Sequence, residues 1–343
     1  MTPSQERRKH KLFMKQHPLD SASKHTAVLI QQAFVTDSRR TAPLCLLTLH
    51  APEGSSQQCM AELSALTRTL SGIKQRILVH FAGVKKFAEV HPQRLPANVE
   101  LLAPGTLTAD GLWYHGRKMS AAAEFAKSAA APRKTELTPT EATVIRVLNF
   151  IRHNEDVGLI SHAVKQDPGL LHNLLRYINT AKIFFNSANG GFRNIQQAIM
   201  FMGYRQFSKW LALYLLHASV EGSTPALYLT SIVRAGMMEI LAKPAGFSDK
   251  HQDRIFITGV FSLLDEITGI PMAVILESLE LDAPVRAALL ERKGDYAPLL
   301  DLACAAQTGT AEALSRHLAT IGASARDANL ALLKAIQFAT DFD

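Results

Sequence analysis

Apolar residues along this chain follow two rhythms, and the change comes near residue 138. Before it they fall in short unbroken runs: LCLLTLH at 44–50, RILVHFA at 76–82, NVELLA at 98–103 and GLWYHG at 111–116. Runs of this length between polar or Gly/Pro stretches predict buried strands. Residues 26–36 (TAVLIQQAFVT), 58–71 and 84–90 (VKKFAEV) read instead as helical segments between them. Strands alternating with helices predict a small α/β unit.

After residue 138 the spacing is helical throughout. Thr138, Pro139 and Glu141 form a capping-box pattern, and the helix behind them places Val144, Leu148 and Ile151 on one face. Asp167 with Pro168 opens a helix through Leu171, Leu174, Leu175 and Ile178, and Asn194 caps a run with Ile195, Ile199 and Met202. Gly203 predicts a break before a helix through Phe207, Trp210, Leu211 and Tyr214. Further helices are predicted over 224–243, over 249–267 as one unit, from Asp282-Pro284, and over 295–307, 310–321 and 325–341. The expected class is α+β: a small α/β N-terminal domain followed by an all-α helical bundle. The expected division is a basic leader at 1–24, the α/β unit at 25–119, an Ala/Lys/Ser-rich linker at 120–137 and the bundle at 138–343.

Composition narrows this picture. With 343 residues and 47% hydrophobic side chains, the chain has enough apolar surface for a large core. Its longest apolar runs, such as LALYLL at 211–216, fall far short of the roughly 20 residues a membrane helix needs. The N-terminus has no apolar run behind its basic residues, and a cytoplasmic location with reduced Cys45, Cys59 and Cys304 is expected. Charge is uneven. Residues 1–130 hold 17 Lys and Arg against 9 Asp and Glu, and the remainder holds 20 against 21. A basic first third fits either an anionic partner or a solvated surface.

Residues that carry chemistry are sparse. None of the 13 histidines stands in an HxxxH or HExxH array, and no CxxC, GxGxxG, P-loop or Gly-x-Ser-x-Gly elbow is present. His162 and His172 read as helix-surface or partly buried residues, and His80 as the edge of a core strand or a nucleotide contact. The loop at 178–192 is the richest candidate for an interaction surface. Asn179 ends a helix there, and Phe184, Phe185 and Phe192 either fold into the core or anchor a partner. Lys182, Arg193, Arg205 and Lys209 flank it, as a solvated face or as a seat for an acidic group. Trp210 and Tyr214, four apart on one helix, fit core packing better than ligand stacking.

The segments QDPGLLHNLLRYINTA (166–181) and FRNIQQAIMFMGYRQFSKWLAL (192–213) resemble the HDOD domain, a non-catalytic relative of the HD and HD-GYP phosphodiesterases. VRAGMMEILA (233–242), GVFSLLDEITGIPM (259–272) and LDAPVRAALLERKGDYAPLLDL (281–302) are similar to the C-terminal half of bacterial EAL–HDOD signalling proteins. ILVHFAGVKKFAEVHPQRLPANVELL (77–102) is similar to part of an EAL domain. The first 50 residues offer only Glu6, Asp20 and Asp37, none in a Glu-x-Leu motif, and acidic strand ends are missing after Glu100. The EAL-like part thus looks shortened and degenerate. The resemblance places the HD dyad near Ser262 and Leu263 and an upstream metal histidine near Arg234; Asp265 is the one carboxylate left nearby. It implies a non-catalytic regulatory module with no cofactor, partnered by signalling proteins. The alternative is residual cyclic di-GMP binding or hydrolysis through the EAL-like part. Nucleic acid is not favoured, because exposed aromatics for stacking are few. Self-association is open.

Overall fold

The computed structural model describes residues 27–32, 34–35, 44–51, 55–84, 95–103, 106–108, 111–114, 117–121, 136–178, 194–219, 225–308 and 310–342. The architecture is α+β: two small sheets near the N-terminus, then helices only among the described residues. The first sheet runs in the order β1 (Val28–Gln32), β3 (Leu44–His50), β4 (Arg76–Phe81), β5 (Val99–Leu101). β3, β4 and β5 are parallel, and β1 closes one edge antiparallel to β3. Helix α1 (Ser56–Ser71) connects β3 to β4, making a βαβ unit. β2 (Phe34–Val35), β6 (Leu107–Thr108), β7 (Gly111–Tyr114) and β8 (Arg117–Ala121) pair antiparallel in a second sheet, in the order β2-β8-β7-β6.

Two local expectations for this region are corrected. The helix expected over 26–36 is replaced, among the described residues, by β1 at 28–32 and β2 at 34–35. Ala27 to Ile30 are all buried, so the run has no polar face, and a short segment buried on every side gives no period by which helix and strand can be told apart. Ser120 and Ala121, assigned by composition to the linker, instead belong to β8 and pair with Val35 and Phe34. The expected helix at 84–90 and the leader at 1–24 lie outside the described residues, apart from Val84. The expected strands at 44–50, 76–82, 98–103 and 111–116 are all present.

The helical part comprises α2 (Pro139–Arg152), α3 (Val157–Lys165), α4 (Pro168–Ile178), α5 (Ile195–Ala218), α6 (Pro225–Ala242), α7 (Gln252–Phe261), α8 (Leu264–Thr268), α9 (Met272–Ser278), α10 (Ala283–Glu291), α11 (Ala297–Thr308), α12 (Ala311–Ile321) and α13 (Ala325–Phe342). The predicted caps hold. Thr138 and Glu141 form the reciprocal capping box, with Thr138 N–H donating to Glu141 Oε2 at 2.7 Å. Glu141 is fully buried, and its other oxygen accepts from Ser219 Oγ at 2.7 Å, which ties the start of α2 to the end of α5. Asp167 Oδ1 accepts from Leu170 N–H at 2.9 Å, and Asn194 Oδ1 from Gln197 N–H at 2.8 Å. Gly203 takes φ 73°, ψ 156° and kinks α5, a left-handed φ that a side chain would strain.

The expected single helix over 249–267 is instead a short 3-10 turn followed by α7 and α8, broken at Ser262-Leu263. Leu263 leaves helical geometry with φ −126° and ψ 15°. The Ser262 hydroxyl donates back to Gly259 O at 2.7 Å, a side-chain bond of the kind that competes with helix propagation.

Sheet and bundle share one apolar core. β1 contacts both α11 and α13, and the free edge of β1 is closed by one side chain from α13. Asn329 is fully buried; its Oδ1 accepts from Leu29 N–H at 2.8 Å, and its Nδ2 donates to Ala27 O and Glu62 Oε1, each at 2.8 Å. The amide thereby does what a neighbouring strand would do for an open edge. Asn329→Ala leaves a buried N–H and a buried C=O without partners, and is expected to cost about 2–5 kcal/mol in urea unfolding. A loss below about 0.5 kcal/mol would contradict this role.

Candidate functional site

Helix α6 is packed by α7, α11 and α13, and at its centre the buried run is interrupted by one charged side chain, Arg234. Arg234 is 5% exposed. Its Nε donates to Gln307 Oε1 at 3.0 Å and its Nη1 to Ser262 Oγ at 2.8 Å. Both acceptors are themselves oriented. Gln307 Nε2 donates to Thr230 O at 2.9 Å, which turns its oxygen toward the guanidinium. Ser262 donates its own proton to Gly259 O, which leaves its lone pairs for Arg234. Burial pushes the Arg234 pKa below the ordinary arginine range; Cys304 and Glu266 oppose the shift and the nearby Arg292 cation adds to it. Arginine starts so far above neutrality that the group keeps its charge.

The close approach of α6 and α7 makes this contact possible. A Cβ on Gly259 would lie 2.4 Å from Ala235 Cα, so only glycine lets the backbones meet there. Two of the three residues that the HD resemblance singles out, Arg234 and Ser262, are therefore bonded to each other, and Leu263 is a buried apolar residue beside them. Arg292, held at φ 53° just beyond α10, places Nη1 3.5 Å from Cys304 Sγ and 3.6 Å from Asp301 Oδ1. Asp265 has its pKa raised by burial, against the pull of its backbone N–H bonds and of Arg292. Among the described residues, no group of three or more His, Cys, Asp or Glu side chains gathers as a metal site would require.

Arg205 and Lys209, predicted on a solvated face or as a seat for an acidic group, meet acidic groups of this chain. Arg205 Nε donates to Asp253 Oδ1 at 2.6 Å and its Nη2 to Gln252 Oε1 at 2.9 Å. Lys209 pairs with Glu239, lies 4.0 Å from Asp253 and sits 4.7 Å from the centre of the Phe256 ring. Trp210 is buried and stacks with Tyr214 at 5.3 Å and Phe207 at 6.1 Å, as core packing predicts. Asn179, Lys182, Phe184, Phe185, Phe192 and Arg193 lie outside the described residues. The helices on either side of that segment in the chain expose Leu175, Met200 (69%) and Phe201, and α3 exposes Leu159.

His162 and His172 lie on α3 and α4, His162 exposed and beside Gln166, and neither joins a cluster of ligating groups among the described residues. His80 stands beside Thr48 in the register of β3 and β4, and neither His80 Nδ1 nor Thr48 Oγ1 has a hydrogen-bond partner among the described residues. Burial lowers the pKa of both His50 and His80 below 6.5, with Glu312 opposing the shift at His50 and the His50 charge adding to it at His80.

Sequence reasoning missed Gln307 and Arg292. Gln307 is a lone amide on the apolar face of α11, and a lone Arg in the apolar run of α6 was the available sign that such a partner must exist. Nothing local tells which helix supplies it.

Fold and site together define an α+β protein whose helical bundle is built around a guanidinium-centred polar core. The chain is 26% identical over 188 residues to the cyclic di-GMP phosphodiesterase CdgJ of Vibrio cholerae serotype O1, covering 55% of this chain and 43% of that protein. It is 24% identical over 154 residues to the uncharacterized protein YuxH of Bacillus subtilis, covering 44% of this chain and 36% of that one. The matches thus span less than half the length of either relative. No family model matches the chain, and no solved structure matches it.

Gln307→Leu strands the Arg234 charge and is expected to cost about 3 kcal/mol in urea unfolding, whereas the double variant Arg234→Met/Gln307→Leu recovers much of that loss. Equal losses in the two variants would contradict a charge held by these bonds. Below pH 6.5 the unfolded chain takes up protons on His50 and His80 that the folded chain refuses, so stability declines as pH falls through about 6.5. The double variant His50→Asn/His80→Gln should flatten that decline, and an unchanged slope would contradict it.

Proposed function

We propose that this chain is a signalling protein of a cyclic di-GMP network whose helical bundle acts by contact with other proteins rather than by hydrolysis. The observation that supports this reading most is the Arg234–Ser262 bond. The HD resemblance assigns metal-binding groups to these positions, and a buried cation held by neutral oxygens disfavours a second cation beside it. The exposed apolar side chains Leu159, Leu175, Met200 and Phe201, on three helices that pack together, support a docking role for the bundle. The link to cyclic di-GMP rests on the name of the Vibrio cholerae relative, together with the HDOD-like segments. We read the N-terminal βαβ unit as a degenerate EAL-like remnant, whose three parallel strands among the described residues fall well short of a closed eight-stranded barrel. A second reading, binding of cyclic di-GMP without turnover, is favoured by the same relative's name.

Purified protein incubated with cyclic di-GMP and Mn²⁺ or Mg²⁺ is expected to release no linear dinucleotide. Crosslinking in its native host is expected to capture a defined partner that Leu175→Glu/Met200→Glu loses. Metal-dependent turnover, or a partner set indifferent to the double variant, would overturn the proposal.

A further inference from the structure

A cleft of about 400 Å³ opens between α2, α5, α7 and the connection 279–282. It lies on the opposite side of α7 from the Arg234 network: Asp253, Arg254, Ile257 and Phe261 line the cleft, while Gly259 faces Ala235 of α6. Its floor is apolar, formed by Leu148, Ile151, Ile257, Phe261, Leu281 and Val285. Three guanidiniums from three helices stand around it: Arg152, Arg205 and Arg254.

The carboxylates in the wall do not match these cations one to one. Asp282 serves two guanidiniums at once, taking Arg152 Nη2 at 3.2 Å on one oxygen and Arg254 Nε on the other. Glu280 is engaged by His153 Nε2 at 2.6 Å, and Asp253 is shared between Arg205 and Lys209. The cleft lining thus holds three guanidiniums and three carboxylates, with Asp282 shared by two guanidiniums while Glu280 is turned to His153. Asn149 fixes the backbone there, with Nδ2 donating to Ser278 O at 2.9 Å and Oδ1 accepting from Glu280 N–H at 3.1 Å. A concave site of this size, with an apolar floor and a few convergent charged groups, has the form of a small-molecule pocket. Guanidinium forks recognise planar or tetrahedral oxyanions through paired N–H bonds.

We propose that this cleft binds a small organic anion, with a phosphate or carboxylate head at Arg152 and Arg254 and an apolar body on the Ile257–Phe261 floor. The site is independent of the signalling role proposed above and would stand or fall separately from it.

Calorimetric titration of the full chain tests it, with guanosine monophosphate and benzoate as the two anionic probes and guanosine and benzyl alcohol as their uncharged counterparts. At least one anion is expected to bind saturably at one site per chain, its uncharged counterpart to give no saturable heat, and the responding anion to tell phosphate from carboxylate preference. Its affinity should fall about tenfold or more in Arg254→Gln and also in Arg152→Gln, both substitutions at partly exposed side chains. Melting temperatures of the two variants show that the fold survives. No saturable binding of either anion, equal binding of an uncharged counterpart, or wild-type affinity in either folded variant would overturn the proposal.

Discussion

A charge taken out of water must be compensated by bonds, and the buried guanidinium of Arg234 sets the terms for the middle of this protein. Desolvating an arginine costs several kcal/mol, and the loss is offset only when its donors find oriented acceptors. Here the acceptors come from sequence-distant places: Ser262 from the break between α7 and α8, and Gln307 from α11. The break in the helix, the glycine contact at Gly259 and the inward amide on α11 are parts of one solution. Each would be unfavourable alone, and each makes sense as support for the same cation.

A second polar constraint joins the two halves of the fold. β1 is an edge strand with buried residues on both faces, an arrangement that leaves backbone groups stranded unless something covers them. Asn329 covers them from α13 and reaches Glu62 on α1 with the same amide. Gln337, two turns further along α13, donates to Gly72 O at the end of α1 at 3.1 Å. The last helix of the chain thus fixes the first strand and the first helix, and the small sheet is held against the bundle by hydrogen bonds as well as by apolar contact.

What the sequence made legible was local. Thr138 with Glu141, Asp167, Asn194 and Gly203 all act within four residues of themselves, and all four expectations hold. What it hid was set by partners far along the chain. Residues 28–32 are strand because β3 and Asn329 pair with them, and the latter is 300 residues away from Leu29. The stretch 249–267 carries an unbroken helical period, yet Ser262 leaves the helix to meet Arg234. The candidate cations Arg205 and Lys209 were found from their position in the chain, but their carboxylate partners, Asp253 and Glu239, lie on other helices and were not.

The proposed reading of the bundle as a regulator rests on an internal cation, Arg234, standing where the HD resemblance places metal ligands. The most direct measurement is the metal content of the purified protein by plasma mass spectrometry, after exposure to iron, manganese and zinc and removal of loosely bound ions. The account predicts well under one equivalent of any transition metal per chain. One tightly held equivalent that disappears in Asp265→Ala or Cys304→Ala would contradict it.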